Sequence, residues 1–240
     1  MDMVNFVCPN TGIHLELSKG CLCGSSENYD IVREIPRFVE SNNYTEAFGL
    51  QWNKFKRTQF DSYTGKSITE KRLEAAFGHS LADLEGKVIL EAGSGSGRFT
   101  EVLLKYGAIV YSFDFSNAVE ANFDNNMPHK NLTLFQADIA HIPFLSDFFD
   151  VVVCLGVLQH TPSTSTSLAE LTRVIKPGGE IICDHYKYHL GMFTSLYLLW
   201  WLVIKQFNSK QQMKITDKLT SFFFPIHWGL RDNKTAQMLL

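Results

Sequence analysis

The strongest constraint on the fold is an alternation of apolar and amphipathic segments over residues 87–185. Short apolar runs such as "KVILEA", "AIVYSFD" and "FDVVVCLG" predict buried strands. Segments with helical periodicity, such as "RFTEVLLKY" and "SLAELTRVIK", separate them. Strands that alternate with helices form a parallel sheet with helices on both faces. We therefore predict an α/β fold with a doubly wound, mostly parallel sheet, whose ligands bind at the carboxyl ends of the strands.

The turn after the first of these strands is rich in glycine. It reads "EAGSGSG" and places Gly93, Gly95 and Gly97 at alternate positions. Small residues let the backbone turn tightly and let a ligand approach without meeting a Cβ. The spacing excludes the dinucleotide fingerprint G-x-G-x-x-G, because Arg98 and Thr100 stand where its third glycine is needed. The phosphate loop is excluded as well, since no Gly-Lys pair follows.

The pattern E-x-G-x-G-x-G resembles the signature of class I S-adenosylmethionine-dependent methyltransferases. The resemblance extends over roughly residues 86–186, where "VYSFD", "QADI", "CLGVLQHTP" and "LTRVIKPGGEIICDHY" follow in the order of that family. It implies the Rossmann-like methyltransferase fold and S-adenosylmethionine as the cofactor. Methyl transfer from a sulfonium depends on alignment and desolvation, so we expect no metal at the site.

The resemblance also implies roles for individual residues. Glu91 lies where the family has a carboxylate near the methionine part of the cofactor, and Asp114 is expected to accept hydrogen bonds from both ribose hydroxyls. Asp138 is expected to accept from the adenine amino group with Ile139 packed on the ring; a loop or helix-capping aspartate is the alternative. The expected cofactor-binding residues are Glu91, Gly93, Ser94, Gly95, Gly97, Asp114, Phe115, Asp138, Ile139 and Leu155.

His160 follows the fourth predicted strand and is the candidate catalytic residue. A base helps when the acceptor is a hydroxyl or a protonated amine, whereas a histidine placed for packing is the alternative. The chain lacks the Asn-Pro-Pro-Tyr type motif of enzymes that methylate adenine amines or glutamine. We expect in-line methyl transfer to a small-molecule acceptor or to a glycan- or lipid-linked one. RNA methylation and a cofactor-binding module without catalysis are the alternatives.

The bulk composition bears on partners and location. The 22 basic and 25 acidic residues give a net charge of -3, so no overall positive field attracts nucleic acid. We therefore favour a small-molecule or lipid-linked partner over a nucleic acid. The 5 cysteines are an odd number, and the N-terminus lacks a basic region followed by an apolar run. The expected compartment is the cytoplasm, with peripheral contact to a membrane as an addition.

Residues 1–43 read as short strands and turns and predict a small β-rich module. The module is similar to the zinc-ribbon-like modules that precede some bacterial methyltransferase domains. Cys8, Cys21 and Cys23, with His14 as a fourth candidate, depart from the two C-x-x-C-like pairs that a structural zinc uses. We therefore predict a metal-free relic of such a module.

Residues 44–186 form the expected methyltransferase domain. Its first part, up to about residue 80, predicts two helices with Gly78 as a stop. Many class I enzymes place helices here that close over the cofactor. Trp52, Phe55 and Arg57 are therefore candidates for aromatic cover and for a cation near the cofactor's carboxylate, with a plain amphipathic helix as the alternative.

Residues 187–240 form the expected helical extension, either truncated or the end of an incomplete sheet, because the family's last two strands are not found in it. Its apolar segment from Leu190 to Ile204 is shorter than the roughly 20 residues that span a bilayer. We expect it to be buried as a lid over the cofactor pocket or as a dimer contact. Peripheral membrane contact through residues 190–207 is the alternative.

Overall fold

The computed structural model describes residues 5–25, 27–40, 45–186 and 202–230. The chain divides into two compact units, Met1–Lys187 and Tyr188–Leu240. The first unit contains the residues of the expected N-terminal module together with the central sheet.

Four short antiparallel strands follow the N-terminus. They are β1 Glu16–Ser18, β2 Cys21–Cys23, β3 Asn28–Val32 and β4 Ile35–Pro36. Arg33 and Glu34 join the last two strands, and their φ values of 52° and 62° are those of a type I′ hairpin turn. Val7 forms only an isolated bridge with His14, whereas "CLC" pairs on both sides as a strand.

Three helices precede the central sheet where two were predicted. They are α1 Glu46–Lys54, α2 Asp61–Thr64 and α3 Ile68–Phe77. The carboxylate of Asp61 accepts hydrogen bonds from the N–H groups of Ile68, Thr69 and Glu70, which satisfies the first turn of α3. Gly78 ends α3 with φ of 72°, and this confirms the predicted stop.

The central sheet has five parallel strands in the order β7-β6-β5-β8-β9. The strands are β5 Val88–Ala92, β6 Ile109–Asp114, β7 Leu132–Gln136, β8 Phe149–Cys154 and β9 Ile175–Cys183. The helices between them are α4 Arg98–Lys105, α5 Val119–Asn126 and α6 Thr164–Val174, with 3₁₀ turns at Leu81–Leu84 and Leu158–His160. This is the predicted doubly wound, Rossmann-like methyltransferase fold.

The "KPGG" sequence, residues 176–179, lies inside β9 as an irregularity. The pairing with β8 shifts there, from Phe149 opposite Ile175 to Val151 opposite Glu180. Gly178, with φ of 79°, allows the extra residues to leave the ladder.

The two faces of the sheet have separate cores. Helices α3, α4 and α5 cover one face with mostly aliphatic side chains, among them Leu73, Leu103 and Val119. The other face packs against α6 and against N-terminal residues such as Phe6 and Leu22. The connection from β7 to β8, residues 137–148, contains no helix.

The second unit is described over residues 202–230. Its long helix is α7 Ser209–Leu230, with Pro225 inside it. Within the described part of the chain, no helix is long and apolar enough to cross a membrane. The lid or contact expected of Leu190–Ile204 lies outside the described residues, apart from residues 202–204.

Candidate functional site

A cavity of about 450 Å³ opens where several strands of the central sheet end. The glycine loop after β5 forms its floor, and the segments that follow β6, β7 and β8 form its sides. Residues of α1 and α3 complete the wall. The cavity therefore lies at the carboxyl ends of the parallel strands, where ligands of this sheet type bind.

The glycine loop is held by close approach of other side chains. Gly93 and Gly97 have φ values of 80° and 88°. A Cβ at Gly93 would lie 2.3 Å from Val157 Cγ2, and one at Gly97 would lie 2.2 Å from Asn122 Oδ1. Both glycines thus make room for protein atoms, and Gly97 does not line the cavity. The sequence prediction, which assigned the free space to the ligand, missed these neighbours.

Trp52 covers the next glycine of the loop. A Cβ at Gly95 would lie 3.0 Å from Trp52 Cε2. The indole belongs to α1, which is linked to the turn between β6 and α5 by a hydrogen bond from Asn53 Nδ2 to the carbonyl of Asn117. Of the three aromatic and basic candidates on this segment, Trp52 lines the cavity, whereas Phe55 and Arg57 do not.

Asp114 ends β6 at the edge of the cavity. Its Oδ2 accepts from the N–H of Gly95 at 2.9 Å, and its Oδ1 accepts from the N–H and the hydroxyl of Ser116 at 2.8 and 2.6 Å. Burial raises the pKa of this carboxyl, and the hydrogen bonds from Ser116 and Gly95 oppose that effect. A carboxylate offers about four acceptor sites, so about one is left, on Oδ2.

The residues after β7 form an apolar wall with one carboxylate. Ile139 is 6% exposed and lines the cavity with Phe115 and Leu155. Asp138 also lines it, and its Oδ1 accepts from the N–H of Ala140 at 2.9 Å. The structure thus gives Asp138 the loop-stabilising hydrogen bond of the alternative. Its Oδ2 lies 3.8 Å from His141 Nδ1, beyond hydrogen-bond distance, and keeps an acceptor site toward the cavity.

Glu91 lies behind the cavity and does not line it. Its Oε2 accepts from the hydroxyls of Thr100 and Ser112 at 2.5 and 2.7 Å, and Asn122 donates to both of those hydroxyl oxygens. Its Oε1 is buried and has no hydrogen-bond partner among the described residues. Burial raises the pKa of Glu91 to about 7. The glutamate is thus a buried, half-satisfied group between β5 and the helices.

His160 stands at the rim of the cavity. It is exposed, and its ring lies 5.1 Å from the ring of Phe48 and 6.0 Å from that of Tyr186, edge to face in both cases. The preceding residue, Gln159, has a buried side-chain amide without a hydrogen-bond partner in the described part of the chain. The rim is therefore aromatic, with one exposed imidazole.

Two arginines of the cavity wall were not predicted. Arg72 of α3 pairs with Asp184 at 2.8 Å, and Asp184 also accepts from the N–H of Gly156. Burial and the charge of Arg72 lower the pKa of Arg98. Arg98 directly follows the glycine loop, which was a usable signal. Arg72 lies on a helix outside every motif, so only the tertiary structure reveals it.

The N-terminal cysteines are divided between two places. Cys8 lies 3.5 Å from the hydroxyl of Tyr29, whereas the Sγ atoms of Cys21 and Cys23 lie 3.0 Å from each other. Within the described ranges, no group of three or more His, Cys, Asp or Glu side chains could hold a metal ion. The relation to a zinc-ribbon module stays a prediction.

Comparison with known proteins agrees with this geometry. Residues 90–183 match the protein family described as a methyltransferase domain. A tRNA U34 carboxymethyltransferase of Nautilia profundicola is 34% identical over 105 residues, 42% of this chain and 35% of that protein. A ubiquinone biosynthesis O-methyltransferase of Coxiella burnetii is 32% identical over 100 residues, 41% of this chain and 43% of that protein. The chain spans less than half of the length of these two curated relatives.

A solved structure shares the fold. It contains a methyltransferase in complex with the Trm112 methyltransferase activator of Haloferax volcanii. The TM-score is 0.50 and the sequence identity 20%, over 66% of this chain and 67% of that one.

Proposed function

We propose that this chain, which carries a class I S-adenosylmethionine-dependent methyltransferase domain, transfers a methyl group to a small-molecule acceptor or to a glycan- or lipid-linked one. The cavity at the strand ends carries this proposal. It combines a glycine loop, a carboxylate with a remaining acceptor site and an apolar wall, and it opens at an aromatic rim with an exposed histidine.

The residues of the cavity fit S-adenosylmethionine. The remaining acceptor site of Asp114 suits a ribose hydroxyl, and the wall of Phe115, Ile139 and Leu155 suits an adenine ring. Asp138 Oδ2 suits the adenine amino group. Since three acceptor sites of Asp114 are taken, we propose one direct ribose hydrogen bond where the sequence predicted two.

The other end of the cofactor carries a carboxylate and an ammonium group. Arg72 and Arg98 are the cations of the cavity wall, and a guanidinium binds a carboxylate with two parallel hydrogen bonds. The carboxylate of Glu91, whose Oε1 is unsatisfied, supplies negative charge for the ammonium group from behind the glycine loop. Gly93, Ser94 and Gly95 then form the floor under this part of the cofactor.

The chemistry needs alignment and, for some acceptors, a base. When bound, S-adenosylmethionine supplies a methyl group on a positively charged sulfur, which an acceptor atom displaces in line. His160 is placed to take the proton of an acceptor hydroxyl at the rim. Phe48 and Tyr186, whose rings lie 5.1 and 6.0 Å from its ring, hold the apolar part of the acceptor and exclude water.

The acceptor screen has to include nucleic acid. The net charge of the sequence disfavours a nucleic-acid acceptor. Similarity to a relative named for tRNA does not support that expectation. A relative named for ubiquinone biosynthesis favours small acceptors with an apolar portion. The aromatic rim agrees better with small acceptors that have an apolar portion. We therefore retain such acceptors as the proposal and keep tRNA as the alternative.

Calorimetric titration with S-adenosylmethionine tests the cofactor site. Asp114→Asn keeps the size of the side chain and removes its charge, so we expect the affinity to fall by about 5- to 150-fold, equivalent to about 1–3 kcal/mol. Asp30→Asn is the matched control, because Asp30 is exposed on the N-terminal sheet, and its affinity should equal that of the wild type. Equal affinity in Asp114→Asn would remove the ribose assignment.

Release of S-adenosylhomocysteine over a panel of acceptors tests the reaction. The panel contains phenolic and aliphatic hydroxyl compounds, glycans, lipid-linked sugars and tRNA. With an acceptor identified, His160→Gln should lower turnover by about 10²- to 10⁴-fold and leave cofactor affinity unchanged. The control is His14→Gln, at an exposed histidine that does not line the cavity, and it should behave as the wild type. A protein that binds the cofactor and turns over none of the panel supports a module without catalysis.

A further inference from the structure

Helix α7 exposes an unusual number of large apolar side chains. Phe222, Phe223, Phe224 and Trp228 are each between 55% and 65% exposed. Successive helical positions are 100° apart, so the three phenylalanines point to different sides of the helix. The described aromatic side chains therefore extend around about two thirds of the helix circumference, and a single groove of a protein partner would cover only part of them.

The first half of the same helix is basic. Lys210, Lys214 and Lys218 are exposed and lie four residues apart, so they form one stripe. The three lysines and one aspartate, Asp217, give α7 a net charge of +2. The whole chain has a net charge of -3. The positive charge is thus concentrated on the element that exposes the aromatic rings.

The dimensions of the helix match a lipid interface. At about 1.5 Å per residue, Lys218 lies about 6 Å along the axis from Phe222, and the aromatic half extends about 12 Å. Amphipathic segments insert their apolar residues about 5–10 Å into the boundary between headgroups and acyl chains. Lys218 and Lys214, about one and two turns from Phe222, then lie at the level of the phosphates, and Lys210 follows about one turn farther along the same stripe. The helix is too polar to cross the bilayer, in agreement with the absence of a spanning helix among the described residues.

We propose that α7 docks this protein on an anionic phospholipid surface. The rings of Phe222, Phe223, Phe224 and Trp228 enter the headgroup boundary. Lys214 and Lys218 contact lipid phosphates, and Lys210 adds to the attraction toward the anionic surface. This surface differs from residues 190–207, and the proposal does not depend on the acceptor of the methyl group. Its attraction to anionic lipid is electrostatic in part, so it weakens as salt shortens the Debye length from about 8 Å to about 3 Å.

Vesicle flotation of the full chain tests the proposal. We expect the protein to float with vesicles of phosphatidylcholine and phosphatidylglycerol, and to bind vesicles of phosphatidylcholine alone at least tenfold more weakly. The combined variant Phe222→Ser, Phe223→Ser, Phe224→Ser should lose binding to both. Its matched control replaces three exposed apolar residues of the first unit, Leu17→Ser, Tyr63→Ser and Leu145→Ser, and should bind as the wild type.

A second pair of variants separates charge from apolar surface. Reversal of the stripe, Lys210→Glu with Lys214→Glu and Lys218→Glu, should weaken binding to anionic vesicles by about a hundredfold at low salt. The control makes the same change of net charge on exposed lysines elsewhere, Lys66→Glu with Lys87→Glu and Lys130→Glu, and should change binding less than threefold.

Circular dichroism and light scattering complete the test. Each variant should keep the wild-type spectrum, because the altered side chains are exposed. Failure of the wild type to bind anionic vesicles, or unchanged binding of the phenylalanine variant, overturns the proposal. A wild-type dimer that the phenylalanine variant converts to a monomer, without vesicle binding by either, would assign the surface to a second copy of this chain and overturn it as well.

Discussion

The two faces of the central sheet are closed in different ways. The face under α3, α4 and α5 is filled mostly by aliphatic side chains. They come from α3, which precedes the sheet, and from α4 and α5, each of which follows its strand in sequence. The opposite face has α6 and, beside it, an aromatic cluster in which Phe6 lies 5.0–5.3 Å from the rings of Phe38, Phe135 and Phe144. Since no helix connects β7 to β8, the N-terminal segment takes the place that such a helix would fill.

The N-terminal sheet obtains its stability from packing against the central sheet. Its strands are two to five residues long, and β1 is exposed along its length. Phe6, Leu22 and Ile35 are nevertheless fully buried, and the backbone of Phe38 donates to the carbonyl of Gln136 at the edge of the central sheet. A small sheet of this kind is stable because it shares the core of the larger one.

The largest predicted effect tests this shared core. Phe6→Ala should destabilise the protein by about 3–5 kcal/mol, because it removes a buried ring from the aromatic cluster and leaves a cavity. Chemical denaturation measures the change. Ile13→Ala, in the same segment but half exposed, is the control and should change the free energy of unfolding by less than about 0.5 kcal/mol. If the two variants were equally stable, the N-terminal segment would not belong to the core.

The second prediction concerns the face under α3, α4 and α5, whose core is mostly aliphatic and contains a polar cluster around Glu91. Burial raises the pKa of Glu91 to about 7 in the folded protein, above its ordinary value of 4.5. The folded state therefore binds the proton more tightly, and stability falls as pH rises between those two values, by about 3 kcal/mol in total. Glu91→Gln keeps the oxygen that accepts from Thr100 and Ser112 without the charge.

The measurement is urea denaturation at pH 5 and pH 8. The advantage of Glu91→Gln over the wild type should be small at pH 5 and should reach about 3 kcal/mol at pH 8. The exposed residue Glu16 gives the control, Glu16→Gln, which should show no such difference. An advantage of the same size at both pH values would contradict the raised pKa.

The smallest predicted effect sharpens the comparison within the N-terminal sheet. Glu34 adopts φ of 62° in the hairpin turn between β3 and β4, where glycine is preferred. Glu34→Gly should stabilise the protein by about 0.5–1 kcal/mol. Glu16→Gly, in the extended conformation of β1, should destabilise it by a similar amount. Thermal unfolding resolves opposite signs, and equal signs would show that the turn carries no strain.

The sequence predicts the central sheet well, because buried parallel strands are continuous apolar runs that turn signals separate. The short antiparallel strands of the N-terminal sheet are predicted poorly. The strand "CLC" has three residues, too few for a period to appear, and it forms only through its partners on both sides. The shift in β9 arises because "KPGG" adds residues that have no partner in β8. The apolar pattern of one strand does not reveal how many residues its neighbour offers for pairing.

The candidate site follows the same division. Residues at strand ends, such as Asp114, Asp138 and Leu155, were placed at the cavity by the alternation of the sheet together with the family motifs. Arg72 reaches the cavity from a helix whose position depends on packing. Glu91 was placed in the correct strand, but its side chain points to the helical face, because residues 89 and 91 share one face of β5 and residue 90 the other.

The aromatic cluster also has a consequence for synthesis of the chain on the ribosome. Phe6 and Phe135 pack together although they are about 130 residues apart in sequence. At about 5–20 residues per second, the N-terminal segment waits roughly 6–26 s for its partner strand to be made. During that interval its apolar side chains have no core to enter. The segment around Phe6 is thus made long before the strand on which it packs, and it is among the last parts of the first unit to reach its folded state.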